Sequence, residues 1–242
     1  IRANPTYISL YRNEIQNLFD EYLIYGGYPA VVLSKTIESK VKRLKELVQS
    51  YLKRDVLEAS VQKTDVFWRL LKILASQTGD LVNVNELSNT LGVSVSAINH
   101  YLYVLQKCFH VSLLRSFNTN VRKEITKMPK LYFNDLGLRN CILGQFQNIN
   151  ERLDKGSLLE NYVFTQCRNR FRDDLFFWRT SDGKEVDFVI ASADAPRAIE
   201  VKFNESSFSL SKYRLFHELY PQFRVEVCAY EVKNVEHSVL AL

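Results

Sequence analysis

The sequence predicts a mixed α+β chain, mostly helical in its first half, with a smaller α/β unit at the C-terminal end. Three observations predict it. Apolar residues recur at helical spacing from Ile8 to about Gln77, two short helical patterns flank a glycine turn at Leu91–Ser94, and the apolar period shortens to two in V-D-F-V-I and A-I-E-V-K-F.

The first helix carries Ile8, Tyr11, Ile15, Leu18, Phe19 and Tyr22 inward and is broken by G-G-Y-P at Gly26–Pro29, a tight corner or a docking point. A long helix from about Thr36 to Ala59 follows, with Ile37, Val41, Leu44, Leu47, Val48, Tyr51 and Leu52 on one side and lysines and arginines on the other. Another spans Asp65–Gln77. Residues 1–82 thus read as a helical lead-in. Residues 83–145 read as a helix-turn-helix. A short helix Asn85–Thr90 is followed by the turn L-G-V-S and a second helix capped by Ser94, with Ile98, Leu102 and Leu105 inward. That geometry turns Ser96, Asn99, His100 and Tyr103 outward, where a recognition helix meets DNA. The strand-like F-H-V-S-L-L-R-S-F and the basic T-N-V-R-K-E-I-T-K after it suit a wing, with Arg122 and Lys123 as further DNA contacts, although the polar rather than basic face fits protein contacts as well. K-L-Y-F-N-D-L-G reads as a strand entering a helix, with Asn134 or Asp135 at the cap and Gly144 closing it. Residues 146–242 form the last unit: a helix, a hairpin, a strand, a helix near Ser211–Tyr220 and a strand Phe223–Tyr230.

At 242 residues, 46% hydrophobic and 12% aromatic, the chain can bury a substantial core without covalent staples. Cys108, Cys141, Cys167 and Cys228 are far apart and lack C-x-x-C spacing, so reduced thiols and a cytoplasmic location are expected. His100, His110, His217 and His237 form no i, i+4 pair for a metal. No apolar run approaches the roughly 18 residues that a bilayer requires. The opening Ile1, with no leader after it, reads as a fragment of a protein that extends further on the N-terminal side. A net charge of +5 hides local clusters, Lys40–Lys45, Lys53–Arg54, Arg122–Lys130 and Arg168–Arg172, that would suit a polyanionic partner or simply a solvated helix face.

The chemistry concentrates between Glu160 and Lys202. Glu160 lies in the helix L-L-E-N-Y-V-F, Asp187 interrupts an apolar strand after a D-G turn, and Glu200 and Lys202 share one face of the next strand. Charges inside such apolar runs are rare unless paired or bound to a metal. Hard oxygen ligands suit Mg²⁺ or Mn²⁺. A same-face ion pair between Glu200 and Lys202 on a solvated sheet is the plainer alternative. Arg179 in F-W-R-T either contacts a phosphate or meets water or a carboxylate at a strand edge.

The helix bearing Glu160, the hairpin bearing Asp187 and the E-x-K strand resemble the PD-(D/E)XK nuclease fold. G-G-Y-P, K-R-D at Lys53–Asp55, the helix-turn-helix, K-L-Y-F-N-D-L-G, L-L-E-N-Y-V-F and F-W-R-T-S-D-G-K-E-V-D-F together resemble the C-terminal region, of undefined function, of a large prokaryotic family of AAA+ type ATPases. The resemblance implies that residues 1–82 lead in from an ATPase domain, that 83–145 are a winged helix, and that 146–242 are nuclease-like. It implies Glu160, Asp187, Glu200 and Lys202 as catalytic residues. Asp187 and Glu200 would hold one Mg²⁺ or Mn²⁺ with the Val201 carbonyl, Lys202 would orient a water or steady the phosphate, and Glu160 would tune Lys202 or hold a water. The expected partners are DNA and the chain's own ATPase domain, with oligomerisation open and no membrane. A non-catalytic DNA-binding or docking module, with Glu160 and Lys202 as an internal salt bridge, is the alternative. No G-x-x-x-x-G-K-[ST] occurs, so this fragment has no ATP site of that kind.

Overall fold

The computed structural model describes residues 11–58, 63–192, 196–232 and 237–241; the side chains at 51–53, 55–58, 121, 123 and 241, which include the predicted inward Tyr51 and Leu52 and the motif residues Lys53 and Asp55, lie outside the described set. The element order is α1 (Arg12–Tyr25), α2 (Pro29–Val32), α3 (Ile37–Glu58), α4 (Thr64–Ser76), α5 (Val84–Leu91), α6 (Val95–Lys107), β1 (Val111–Leu114), α7 (Val121–Thr126), β2 (Lys130–Phe133) and α8 (Leu136–Leu143). It continues with α9 (Lys155–Phe171), β3 (Leu175–Arg179), β4 (Glu185–Ile190), β5 (Arg197–Asn204), α10 (Arg214–Leu219) and β6 (Arg224–Glu231). The chain is therefore mixed α and β, as its patterning predicts.

The described residues form two compact units that do not follow chain order. One contains 20–113 and 131–152; the other contains the residues up to Phe19, Leu114–Lys130 and those from Leu153 onward. In the helical unit, one side of α4 (Val66, Phe67, Leu70, Leu71, Leu74) packs with Leu87 and Leu91 of α5 and with Ile98, Tyr101, Leu102 and Leu105 of α6. Ser94 caps α6 by accepting from the Ala97 amide at 3.1 Å, and Gly92 makes the turn at φ 65°. Two helices and a glycine turn thus stand where the sequence predicts them.

The corner at Gly26–Gly27 is a packing joint. Asp135 accepts from the Leu138 amide at 2.8 Å, which caps α8, and from the Gly27 amide at 2.8 Å. Gly26 has φ 75°, and a Cβ there would meet the Asp135 carboxylate. Two sequence motifs more than a hundred residues apart are thus one structural device. Burial raises the Asp135 pKa against the three amides that favour its charge.

The predicted wing takes a different form. Only Val111–Leu114 is strand, and the basic segment after it folds as helix α7. The Asn120 side chain accepts from the Arg122 amide at 3.0 Å and its carbonyl accepts from the Glu124 amide, a helix start that outweighs the strand preference of the β-branched residues.

In the other unit the sheet order is β3-β4-β5-β6, antiparallel through β5, with β6 parallel to β5. The β3–β4 hairpin turns at Gly183, φ 88°. Helix α9 packs on this sheet, Phe164 against Phe188, while Trp178, Val189, Ala198, Tyr213, Phe216 and Phe223 form an apolar cluster. Residues 115–117 run beside β3: the Phe177 amide donates to the Arg115 carbonyl at 3.0 Å, and the Phe117 amide donates back to the Phe177 carbonyl at 2.5 Å. Phe117 then sits edge-on to Phe176, Tyr220 and Phe223.

Candidate functional site

The alternation along β5 that buries Ala198 in the apolar cluster puts Glu200 and Lys202 on the same face, further along the strand. The antiparallel register pairs Phe188 with Ile199, and one further step sets Asp187 opposite Glu200. Asp187 Oδ2 accepts from the Val201 amide at 2.8 Å, which fixes its side chain across the strand pair. Glu160 comes from α9, and its charge acts on Asp187 together with that of Glu200. All four residues expected from the sequence therefore meet in one unit.

Their pairing is not the expected one. The docking-module reading pairs Glu160 with Lys202; their charges act on each other, but each has another residue as its described ion-pair partner. Lys202 pairs with Glu200 Oε1 instead, two residues away on the same strand face. Glu160 Oε1 accepts from Lys130 Nζ at 2.9 Å, and the same ammonium contacts Glu185 Oε1 at 2.5 Å. Arg179 takes the carboxylate alternative, Nη1 to Glu185 Oε2 at 2.6 Å. Lys130, Glu185 and Tyr213 were not singled out by the sequence, although a lysine heading the apolar K-L-Y-F was a signal of the same kind as Asp187.

Burial and charge act strongly here. The packing around Asp187, then the charges of Glu160 and Glu200, raise its pKa well above the ordinary carboxylate value, against Lys130 and the Val201 amide. Burial opposes the charge on Lys130, yet Glu160, Asp187 and Glu185 together raise its pKa, so it stays an ammonium. Tyr213 is raised by burial and by the facing charges of Glu200 and Asp187. The Tyr213 side chain faces Glu200 within hydrogen-bonding influence, while the buried Glu200 Oε2 has no well-formed hydrogen bond. Such an oxygen costs about 1–3 kcal/mol unless something meets it.

Among the described residues, no three His, Cys, Asp or Glu side chains are grouped to hold a metal ion. Two carboxylates with water and main-chain oxygen still suit Mg²⁺ or Mn²⁺, and the orphaned Glu200 Oε2 beside Asp187 is a donor set of that chemistry.

One stability prediction follows from the crowding. A folded pKa above the unfolded one means that ionised Asp187 opposes folding; the cost is absent below the unfolded carboxylate range and complete once pH exceeds the folded value. Asp187→Asn keeps an acceptor for the Val201 amide and should stabilise the protein at pH 7, with a gain that shrinks toward pH 4. Urea unfolding at the two pH values checks it, and a variant equally stable or weaker at pH 7 contradicts it.

The residues expected to meet DNA lie elsewhere. Ser96, Asn99, His100 and Tyr103 are exposed on α6, as is Arg122 on α7, while the side chain of Lys123 is outside the described residues. No helix among the described residues is long and apolar enough to cross a membrane.

A family model described as a domain of unknown function, DUF8612, matches residues 16–148, and another, DUF4143, matches 155–239. An uncharacterized protein of Haemophilus influenzae is 28% identical over 196 residues, 78% of this chain and 47% of that protein. Uncharacterized proteins of Mycobacterium tuberculosis (26% over 187 residues) and Methanocaldococcus jannaschii (27% over 192 residues) each cover 76% of this chain and 42% of their own length. The chain spans less than half the length of these relatives. No solved structure matches it. The match to residues 16–148 takes in more than half of the 242 residues, and the chain accordingly belongs to the DUF8612 family, with a DUF4143 region following.

Proposed function

We propose that this chain is the C-terminal part of an AAA+ type ATPase that acts on DNA, and that the unit built on β3–β6 and α9 is a PD-(D/E)XK phosphodiesterase dependent on a divalent cation. The observation that carries the reading is the buried, unpartnered Glu200 Oε2 beside Asp187, with Lys202 on the same strand face. Four carboxylates, Glu160, Glu185, Asp187 and Glu200, face two lysines with Arg179 at the outer edge, so the cluster is one positive charge short when all four are ionised. Asp187 and Glu200 would hold the ion, which when bound supplies Lewis-acid polarisation and a more acidic water. Lys202, with its side chain 26% exposed and steadied by Glu200, would meet the phosphate. Residues 83–145 would serve as a winged-helix-type DNA module, with Ser96, Asn99, His100 and Tyr103 of α6 toward the groove.

The test is cleavage of plasmid and single-stranded DNA by the full-length protein in Mg²⁺ or Mn²⁺ against EDTA. Lys202→Ala and Glu200→Gln, checked for folding by circular dichroism, should each lose about 10²–10³-fold in rate. A second reading, a non-catalytic binding module, is favoured by the engagement of both lysines with carboxylates. Gel shift without cleavage by the wild-type protein would establish it and overturn the phosphodiesterase.

A further inference from the structure

The carboxylate cluster already contains a cation that no motif assigns to it. Lys130 heads β2, lies outside the DUF4143 match at 155–239, and belongs to the same compact unit as that region. Its side chain is 3% exposed, and its ammonium bridges Glu160 on α9 and Glu185 on β4, with the Phe177 ring 5.7 Å away. Two carboxylates from separate elements converging on one buried point charge form the arrangement in which many hydrolases hold a metal ion between acidic side chains.

We propose that Lys130 is a built-in cation, a positioning residue that permanently fills one half of the cluster and leaves a single place for a divalent ion on Asp187 and Glu200. This rests on the phosphodiesterase reading of the site. Glu160 and Glu185 are held by Lys130 and are not ligands. Without the ammonium, Glu160 and Glu185 would face each other as two unneutralised carboxylates that a second hard divalent cation could bridge. With it, Glu160 is fixed and partly neutralised, and the ion's place is confined to the half where Glu200 Oε2 has no partner. A lysine suits the role because its compact charge carries three donors on a reach long enough to cross from β2.

The test counts Mn²⁺ bound to the nucleotide-free full-length protein by electron paramagnetic resonance, with an Asp187→Asn/Glu200→Gln variant subtracting ions bound elsewhere. The wild-type protein should bind one ion at the cluster, and Lys130→Gln two. Lys130→Gln/Glu160→Gln should return to one. One ion with unchanged affinity in both wild type and Lys130→Gln overturns the inference, as do two ions in the wild type, although the latter leaves the phosphodiesterase reading standing. None in the wild type but one in Lys130→Gln supports Lys130 as the resident cation and overturns the phosphodiesterase. None in either overturns both. If Lys130→Gln is unfolded in EDTA, millimolar Mn²⁺ should raise its unfolding midpoint toward the wild-type value, and failure to do so counts against the inference.

Discussion

Gly137→Ala is expected to cost at least about 3–5 kcal/mol and to leave little soluble protein, a loss comparable to the whole stability of many domains. A Cβ on Gly137 would lie 2.0 Å from the Tyr25 carbonyl oxygen, 2.4 Å from its carbon and 2.9 Å from the Gly26 nitrogen. All three are main-chain atoms, so no rotamer change relieves the clash, and the start of α8 would have to leave the end of α1. That separation would also withdraw Asp135 from the Gly27 amide. Soluble yield and the urea midpoint read the effect. A Gly137→Ala protein with the wild-type midpoint would mean that α1 and α8 do not approach as closely as described.

Asn140→Ala should cost about 3–5 kcal/mol by a different route. Asn140 is fully buried and makes four hydrogen bonds: Nδ2 donates to the Leu23 and Ile24 carbonyls, 2.9 Å each, and Oδ1 accepts from Arg139 at 3.1 Å and Arg152 at 3.0 Å. The two carbonyls belong to the last turn of α1, where no further helical amide follows to meet them. Alanine leaves two carbonyls and two guanidinium donors short of a partner at once. Asn140→Asp separates the halves of the network, because it keeps an acceptor for the arginines but sets oxygen against oxygen at α1. Thermal unfolding should show the aspartate destabilised nearly as much as the alanine. An aspartate variant with the wild-type midpoint would show that the carbonyl contacts contribute nothing.

Elements whose signals are local were legible from the sequence. Ser94, Gly92, Asp135 and Gly144 announce helix ends through their own backbone chemistry, and the structure places caps at each. Period-two spacing sufficed to put Glu200 and Lys202 on one face, and a charged residue in each of three apolar segments sufficed to nominate Glu160, Asp187 and Glu200. Pairing was not legible. Glu160 has its lysine 30 residues upstream, and nothing in either local pattern names the other. The basic charge of segment 119–127, which suited a wing, says nothing of its local conformation, and only the geometry at Asn120 reveals the helix. The meeting of G-G-Y-P with N-D-L-G was invisible as well, since a glycine kept small for a distant carbonyl looks the same as one kept for a turn.

The hydrogen bonds that residues 115–117 make with Phe177 bear on how this chain can be divided. They occupy the outer side of β3, a strand that β4 pairs on the other side. A fragment beginning near Lys155 would carry β3 as a bare sheet edge next to an aromatic hollow that Phe117 had filled. Such a piece offers another copy of itself both a row of unpaired main-chain groups and an apolar socket, and should self-associate. Residues 114–130 therefore belong with this unit, although they begin some forty residues before the place where its family match starts.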